Sequence, residues 1–255
     1  MNMRNGIRAL VAVSIFFLTF EAQATPIYVN PLGENSSSAA LSLQGIIDAR
    51  GNTLINVDND QLDAGVASAW TSTGSSSVTV VDAVAGAASV NIFGIYDLAD
   101  PTQKIPILTG ASGGATSTIN SPWGTFGFYL INPILDYTWY SNPSLNGGQA
   151  HVVTYQGQGE TLNLGSDPNN PVGSILLGSN SYLLGWEDSD FNNSDLDYND
   201  LIVVVSNVQP ASVPDDSATV GLLGMAMVGL VFLQKARVIQ RKQQVRALAR
   251  YKRTF

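Results

Sequence analysis

The sequence contains no cysteine and only one histidine, His151. Without cysteine, no disulfide can brace the chain in an oxidising compartment, so another stabilising device is expected. His151 lies in the strand-like run 150–157 and has no cysteine to pair with as a catalytic base. We therefore predict a structural role for it.

Basic residues are almost absent between residues 25 and 212. This segment has two of them, Arg50 and Lys104, against 17 acidic residues, which gives a formal charge of −15. The charge of the whole chain is only −8, because basic residues near both ends offset the acidic body. Such a body repels nucleic acid and anionic polymers and attracts cations.

The first 24 residues have the pattern of a secretory signal peptide. Arg4 and Arg8 precede the apolar run 9–20, which is too short to span a bilayer, and residues 22–24 read Ala-Gln-Ala, a small-x-small cleavage site. The pattern predicts export and removal of residues 1–24. The alternative is an uncleaved N-terminal anchor.

The C-terminal part of the sequence has the pattern of a membrane-spanning segment. Residues 218–233 form an unbroken run of apolar residues and glycine, and eight Lys and Arg residues follow it. As a helix this run would measure roughly 24 Å, enough for a thin bilayer. By the positive-inside rule, the basic tail is expected in the cytoplasm and the acidic body outside. The alternative is a buried core helix.

Residues 213–217 read Val-Pro-Asp-Asp-Ser and stand directly before this apolar run. A short motif, a glycine-rich apolar helix and a basic end together resemble the PEP-CTERM class of sorting signals, in the variant whose motif reads Val-Pro-Asp-Ser-Gly. The final Ser-Gly of that motif is Asp-Ser here. The resemblance implies an exosortase-type processing enzyme that releases the protein to the cell envelope or extracellular matrix.

The segment 25–212 is long enough for one domain with its own core, and its sequence is mainly β in pattern. Apolar residues alternate in 125–131 and 181–186, which places Phe126, Phe128 and Leu130 on one face and Tyr182, Leu184 and Trp186 on another. Further strand-like runs are bounded by Gly, Pro, Asn and Ser. We predict an antiparallel β-sandwich of the jelly-roll kind.

Smaller features complete the prediction for this domain. One short helix is expected at 41–50, with Leu43, Ile46 and Ile47 on one face and Gly51 after its end. The Gly/Ser-rich runs 71–77 and 109–118 are predicted as loops, and 145–148, Leu-Asn-Gly-Gly, as a hairpin turn.

The most unusual stretch, residues 185–205, reads GWEDSDFNNSDLDYNDLIVVV. It crowds six carboxylates between two apolar strands without a basic residue: Glu187, Asp188, Asp190, Asp195, Asp197 and Asp200. Two carboxylates about 5 Å apart repel by roughly 3 kcal/mol at an effective dielectric constant near 20. A bound divalent cation would reverse that effect. The alternative is a solvated acidic loop.

The spacing of these residues indicates calcium. Asp, Asp and Asn alternate at 188, 190 and 192, and again at 195, 197 and 199. Alternating oxygen ligands are how a loop surrounds a hard cation, whereas zinc and copper prefer the Cys, His and Met ligands that the stretch lacks. The first series fits the start of an EF-hand loop but has Asn193 in place of the glycine and Asn199 in place of the final glutamate. An EF-hand is therefore excluded.

The same residues resemble a family of bacterial secreted proteins catalogued as a domain of unknown function. Trp-Glu-Asp at 186–188 and Ser-Asp-x-Asp-Tyr-Asn-Asp at 194–200, before an apolar strand, are similar to its C-terminal signature, and the resemblance spans about 126–208. It implies β structure and a calcium site. The residues carried over are Glu187, Asp188, Asp195, Asp197, Asn199 and Asp200. Asp190 lies in the variable loop and is the least certain ligand.

These observations favour a non-catalytic, calcium-binding β-domain of the envelope or matrix, where exopolysaccharide or other matrix components are candidate partners. Two alternatives stay open. Five aromatic residues, Trp123, Phe126, Phe128, Trp139 and Tyr140, could form a sugar-binding platform of a calcium-dependent carbohydrate-binding module, although strand aromatics more often belong to the core. Glu187 and Asp188 could act as the acid/base pair of a glycan hydrolase, although acids this crowded suit metal ligation better.

Overall fold

A computed structural model describes residues 42–211, except residues 53, 111, 166 and 168. The predicted signal peptide, sorting motif, transmembrane helix at 218–233 and basic tail lie outside the described residues. Within the described part of the chain, no helix is both long enough and apolar enough to cross a membrane. This part is mainly β, with antiparallel strands and one α-helix, as the sequence predicts.

The helix α1 (Leu43–Ala49) is slightly shorter than the predicted range 41–50. It begins after Ser42, whose side chain accepts a hydrogen bond from the Gly45 N–H at 3.1 Å and so satisfies a free backbone donor of the first turn. The chain turns away at Gly51, where φ is +93°. Such a conformation is costly for other residues. The apolar face predicted for the helix is buried.

Eleven strands follow the helix in the described residues. They are β1 (Trp70–Asp82), β2 (Ile92–Asp97), β3 (Lys104–Thr109), β4 (Thr116–Ile119), β5 (Phe126–Asn132), β6 (Tyr137–Tyr140), β7 (Val152–Gln156), β8 (Glu160–Leu164), β9 (Gly173–Leu177), β10 (Ser181–Trp186) and β11 (Leu201–Pro210). Nine of them form one sheet in the order β3-β2-β5-β1-β11-β10-β7, with β4 added to β1 and β6 to β5. The strands β8 and β9 pair separately.

The central strand β11 is buried on both faces. Leu201, Val203 and Val205 point to one core, which also contains Trp186 and the β5 residues Phe126 and Phe128. Ile202 and Val204 point to the other core, which lies against α1 and β8. Burial on both faces explains why β11 begins with five consecutive apolar residues instead of an alternating pattern.

The large sheet is joined only narrowly where β1 meets β5, because the two strands share a single residue pair, Trp70 and Phe126. Strands that are distant along the sheet nevertheless contact each other. Phe93 of β2 contacts Trp186 of β10 with ring centroids 6.0 Å apart, although three strands separate β2 from β10 in the sheet order. The first core is therefore enclosed between two parts of one sheet.

Three local predictions were wrong in whole or in part. The loop predicted at 109–118 runs into β4, which begins at Thr116. The run 71–77 is not a loop but the first half of β1, which pairs with β11 on both sides of an irregularity between Ser72 and Ser77. The turn at 145–148 does not join a hairpin, because β6 pairs with β5 while β7 pairs with β10. Gly147 and Gly148 do have positive φ, but they follow a short 3-10 helix that connects two separate parts of the sheet.

Candidate metal centre

The acidic stretch connects two adjacent strands of the sheet. It begins after Trp186 at the end of β10 and ends before Leu201 at the start of β11, and these two residues are paired across the strands. The Glu187 N–H continues the pairing by donating to the His151 carbonyl at 2.9 Å. Both ends of the connection, residues 187–200, are therefore fixed to the centre of the fold.

Three carboxylates converge within this connection. Glu187, Asp195 and Asp197 each place a carboxylate oxygen within 4.8 Å of the other two. Glu187 and Asp197 are only 1% and 3% exposed, whereas Asp195 is open to solvent. The cluster thus combines two buried negative groups with one exposed group, as expected for a cation site that opens to the surface.

The backbone between these ligands has an unusual conformation. Leu196 and Tyr198 flank Asp197 and have φ values of +58° and +55°, in the left-handed region. That conformation costs on the order of 1–3 kcal/mol for a residue other than glycine. The second core compensates, because Tyr198 is buried in it, Leu196 packs against it, and the Tyr198 hydroxyl donates to the Ala150 carbonyl at 2.8 Å. The side chains of Leu196 and Tyr198 turn toward the second core, and Asp197 between them faces the site.

Burial changes the protonation of the converging carboxyls. It raises the pKa of Glu187 to about 7, despite hydrogen bonds from Asp200 and Ser194 that favour the charged form. Burial, followed by the charge of Asp195, raises the pKa of Asp197 to about 6. Without a cation, Glu187 is therefore only partly ionised near neutral pH, whereas Asp197 is mostly ionised there and takes up a proton as the pH falls through about 6.

Asp200 shows the strongest effect. Burial, together with the charges of Glu187 and Asp188, raises its pKa to about 10. Its protonated carboxyl donates to Glu187, and its Oδ2 accepts the Asp188 N–H at 2.8 Å. Asp200 therefore supports Glu187 from behind and lies outside the group of three converging oxygens.

The other predicted ligands divide into two kinds. Asn199 is in direct contact with Asp197, whose Oδ2 accepts from the Asn199 side-chain amide at 2.5 Å. Asp188 faces elsewhere, because its carboxylate accepts from Asn91 at 2.6 Å and from the Ser189 hydroxyl at 3.1 Å. Asp190 forms a turn with Asn192, whose backbone and side-chain N–H groups lower the pKa of Asp190.

An aromatic stack lies beside the connection. The ring of His151 is parallel to that of Trp139, with centroids 3.5 Å apart, and Phe191 contacts His151 at 4.4 Å. Trp139 Nε1 donates to the Asp188 carbonyl at 3.0 Å, and His151 Nδ1 donates to the Glu187 carbonyl at 3.3 Å. Burial lowers the pKa of His151 to about 4, so the ring is neutral at physiological pH. These contacts fit the predicted structural role of His151.

Sequence reasoning missed the residues that hold the acids from outside the acidic stretch. Asn91 lies on the connection between β1 and β2, nearly one hundred positions from its partner Asp188. A single asparagine after an alanine-rich segment has no pattern that predicts such a contact. Trp139 was noted only as an aromatic residue, and its hydrogen bond to the Asp188 carbonyl depends on the tertiary structure that brings β6 beside the acidic connection.

The two alternative sites fit this geometry poorly. Phe126 and Phe128 are completely buried and Trp139 is stacked under His151, so the five aromatic residues do not form one exposed platform. Glu187 and Asp188 are 1% and 4% exposed, and Asp188 is bound to Asn91. Neither carboxylate is placed to meet a large glycan.

One family model, DUF4114, matches residues 122–207 of the chain. The matching family model is described as a domain of unknown function, and its range includes the whole acidic connection. No curated protein matches the chain. The DUF4114 range begins just before β5 and therefore omits β1, which lies between β5 and β11 in the sheet, and it also omits Asn91.

Proposed function

We propose that this protein is an exported, non-catalytic β-domain that binds calcium in the cell envelope or extracellular matrix. The observation that supports it most is the convergence of Glu187, Asp195 and Asp197 within 4.8 Å, with two of the three buried. Buried charges of like sign are costly unless a counter-ion joins them. A divalent cation supplies that counter-charge and would keep all three carboxylates ionised.

The donor set favours calcium over other metals. The three converging groups are carboxylates, and the neighbouring Asn199 adds an amide, so the ligand atoms are hard oxygens. Zinc sites are built from Cys, His and carboxylates in compact tetrahedra, and the nearby His151 is already bound to the Glu187 carbonyl. Magnesium retains several waters and seldom uses a cage of protein ligands. Glu187, Asp195 and Asp197 would hold the calcium, with Asn199 and Asp200 beside it.

The cellular placement rests on the ends of the sequence. We propose export by the signal peptide 1–24, transient anchoring by the helix 218–233, and processing near 213–217 by an exosortase-type enzyme. The formal charge of −15 on the body suits a compartment where calcium is abundant and disfavours nucleic acid as a partner. Exopolysaccharide or other matrix components are the partners we expect.

For the architecture we propose a β-sandwich of the jelly-roll kind. The contact between Phe93 of β2 and Trp186 of β10 supports it, because side chains of strands that are distant along the sheet meet in one core. In this arrangement the acidic connection would lie at one end of the sandwich, where loops are free to carry ligands. Calcium would then serve as the stabilising device that disulfides provide in other exported domains.

Calorimetric titration of the domain 25–212 with calcium tests the metal site. We expect one ion with a dissociation constant on the order of 0.1–1 mM, the range of extracellular modules. The double variant Asp195→Asn/Asp197→Asn should abolish binding. A matched control, Asp58→Asn/Asp60→Asn, removes the same charge from another acidic loop and should bind normally. The proposed calcium site is contradicted if the wild-type domain binds no calcium, or if both double variants weaken calcium binding equally.

A further inference from the structure

Asn91 is a buried residue outside the DUF4114 range that reaches into the acidic connection. It is 5% exposed and lies at the end of the segment between β1 and β2. Its backbone is fixed on both sides, because its N–H donates to the Ala87 carbonyl at 3.0 Å and its carbonyl accepts from Gly110 at 2.9 Å. The position of its side chain is therefore set by the fold upstream of the matched domain.

A short series of contacts links Asn91 to the converging carboxylates. Its Nδ2 donates to Asp188 at 2.6 Å, and the Asp188 N–H donates to Asp200 at 2.8 Å. The Asp200 carboxyl in turn hydrogen-bonds Glu187, one of the three proposed ligands. The segment between β1 and β2 makes a second contact with this series, because the Ala85 N–H donates to the Asp200 carbonyl at 3.5 Å.

The amide of Asn91 is oriented by Asp188 alone. Its Oδ1 is buried and has no hydrogen-bond partner in the described structure. Asn52, which is also buried, shows the usual arrangement: its Nδ2 donates to Asp48 at 3.0 Å while its Oδ1 accepts from the Ile55 N–H at 2.9 Å. A buried acceptor without a partner is unfavourable. At Asn91 the unfavourable burial of Oδ1 accompanies a single side-chain hydrogen bond, from Nδ2 to the Asp188 carboxylate.

We propose that Asn91 is a positioning residue of the calcium site, an inference that rests on the calcium-binding function proposed above. Its amide holds the Asp188 carboxylate away from the three ligands and keeps the Asp188 N–H aimed at Asp200. Asp200 then keeps Glu187 in place. Without the amide donor, the Asp188 carboxylate would lose its neutral partner and could turn toward Asp200, which already lies in a crowded negative field. The site would thus extend beyond the DUF4114 range.

The test compares Asn91→Ala with the matched control Asn52→Ala in the full-length chain, kept in a mild detergent. Both variants remove a buried amide that donates to an aspartate. Asn91 donates to Asp188 in the acidic connection, whereas Asn52 donates to Asp48 in α1. Calorimetry with calcium should give a dissociation constant about tenfold higher for Asn91→Ala, as is common when a partner of a metal ligand is removed. Asn52→Ala should keep the wild-type constant even if it melts at a lower temperature.

A spectroscopic measurement separates positioning from general stability. Terbium replaces calcium in such sites, and its luminescence lifetime in H₂O and D₂O counts the waters bound to the ion. We expect at least one additional water in Asn91→Ala and none in Asn52→Ala. If Asn91→Ala does not fold, Asn91→Ser, which keeps a hydroxyl donor, takes its place. Asn91→Ser should raise the dissociation constant and the number of bound waters in the same direction, but by less.

The possible failures are distinguishable. If the wild-type chain binds calcium and the folded Asn91 variant binds it equally well, with an unchanged number of waters, only the positioning role is overturned. If Asn91→Ala and Asn52→Ala weaken binding by the same factor, the effect is general destabilisation and the role is again overturned. If the wild-type chain binds neither calcium nor terbium, the proposed function and this inference fall together.

Discussion

The carboxyl groups of Glu187 and Asp200 are hydrogen-bonded to each other, with Asp200 as the donor. Two buried carboxyls in contact cannot both be ionised at low cost, so the pair keeps a proton in the absence of metal. A cation at Glu187 would favour its charged form and lessen the repulsion that holds the proton. A proton and a metal ion therefore compete for the Glu187 and Asp200 pair.

The metal-free domain should lose stability as pH rises. The pKa values of Asp197 and Glu187 are raised in the folded state, to about 6 and about 7, so the folded chain keeps protons that the unfolded chain has released. This contribution is complete below about pH 4 and is lost as pH rises through those values. We expect the melting temperature in chelator to fall by several degrees between pH 5 and pH 8.

Excess calcium should remove that decline, because a bound ion requires ionised ligands and binds more tightly at higher pH. Thermal unfolding of the domain 25–212 at four or five pH values, with calcium and with chelator, checks the prediction. Parallel curves under the two conditions would contradict it.

Calcium should raise the melting temperature at neutral pH. Neutralising Asp195 and Asp197 should lower the melting temperature in calcium but raise it in chelator. At one hundred times its dissociation constant, calcium adds roughly 2.7 kcal/mol to the free energy of unfolding. For a domain of this size each kcal/mol corresponds to about 2–4 °C. Asp195→Asn/Asp197→Asn should lose most of that gain, yet melt slightly higher than wild type in chelator because it relieves repulsion. A lower melting temperature of the double variant in chelator would argue that these carboxylates stabilise the fold without metal.

The matched DUF4114 range should not fold by itself. A fragment covering residues 122–207 lacks β1, which pairs with β11 along most of its length and joins β11 to β5. Its removal exposes the edges of β5 and β11, and also the core residues that pack against Trp70 of β1. Circular dichroism and amide NMR dispersion of this fragment, compared with residues 42–211, test the expectation. A folded, cooperative fragment would show that the upstream strands are dispensable.

The mature protein should end within or shortly after the motif at residues 213–217. If the C-terminal part is a sorting signal, the precursor is membrane-bound with the acidic body outside, and a processing enzyme then shortens it. Intact-mass spectrometry of protein from the envelope or the medium should find a C-terminus before Gly221. Mature protein that keeps the basic tail would instead indicate a permanent membrane anchor.

Much of the local structure was readable from the sequence because it depends on neighbouring residues. Alternation in β5 and β10 predicted which aromatic residues face the core, and the burial of Phe128 and Trp186 confirms it. The short helix and the glycine after its end, Gly51, were also readable. The acidic stretch stood out because so many carboxylates without a basic partner are unusual next to an apolar strand. Three of the seven predicted ligands, Glu187, Asp195 and Asp197, converge in the structure.

Tertiary structure decided what depends on residues far apart in the chain. The Gly/Ser-rich run 71–77 has weak strand propensity, but pairing with β11 makes it part of β1. The glycines after Asn146 have the positive φ expected of a turn, yet the pairing of β6 and β7 with other strands makes the segment a connection and not a hairpin. Likewise, the alternation of acids made Asp188 and Asp195 equivalent in sequence. In the structure they differ, because the Asp188 carboxylate accepts hydrogen bonds from Ser189 and from Asn91, and the fold alone brings Asn91 close to it.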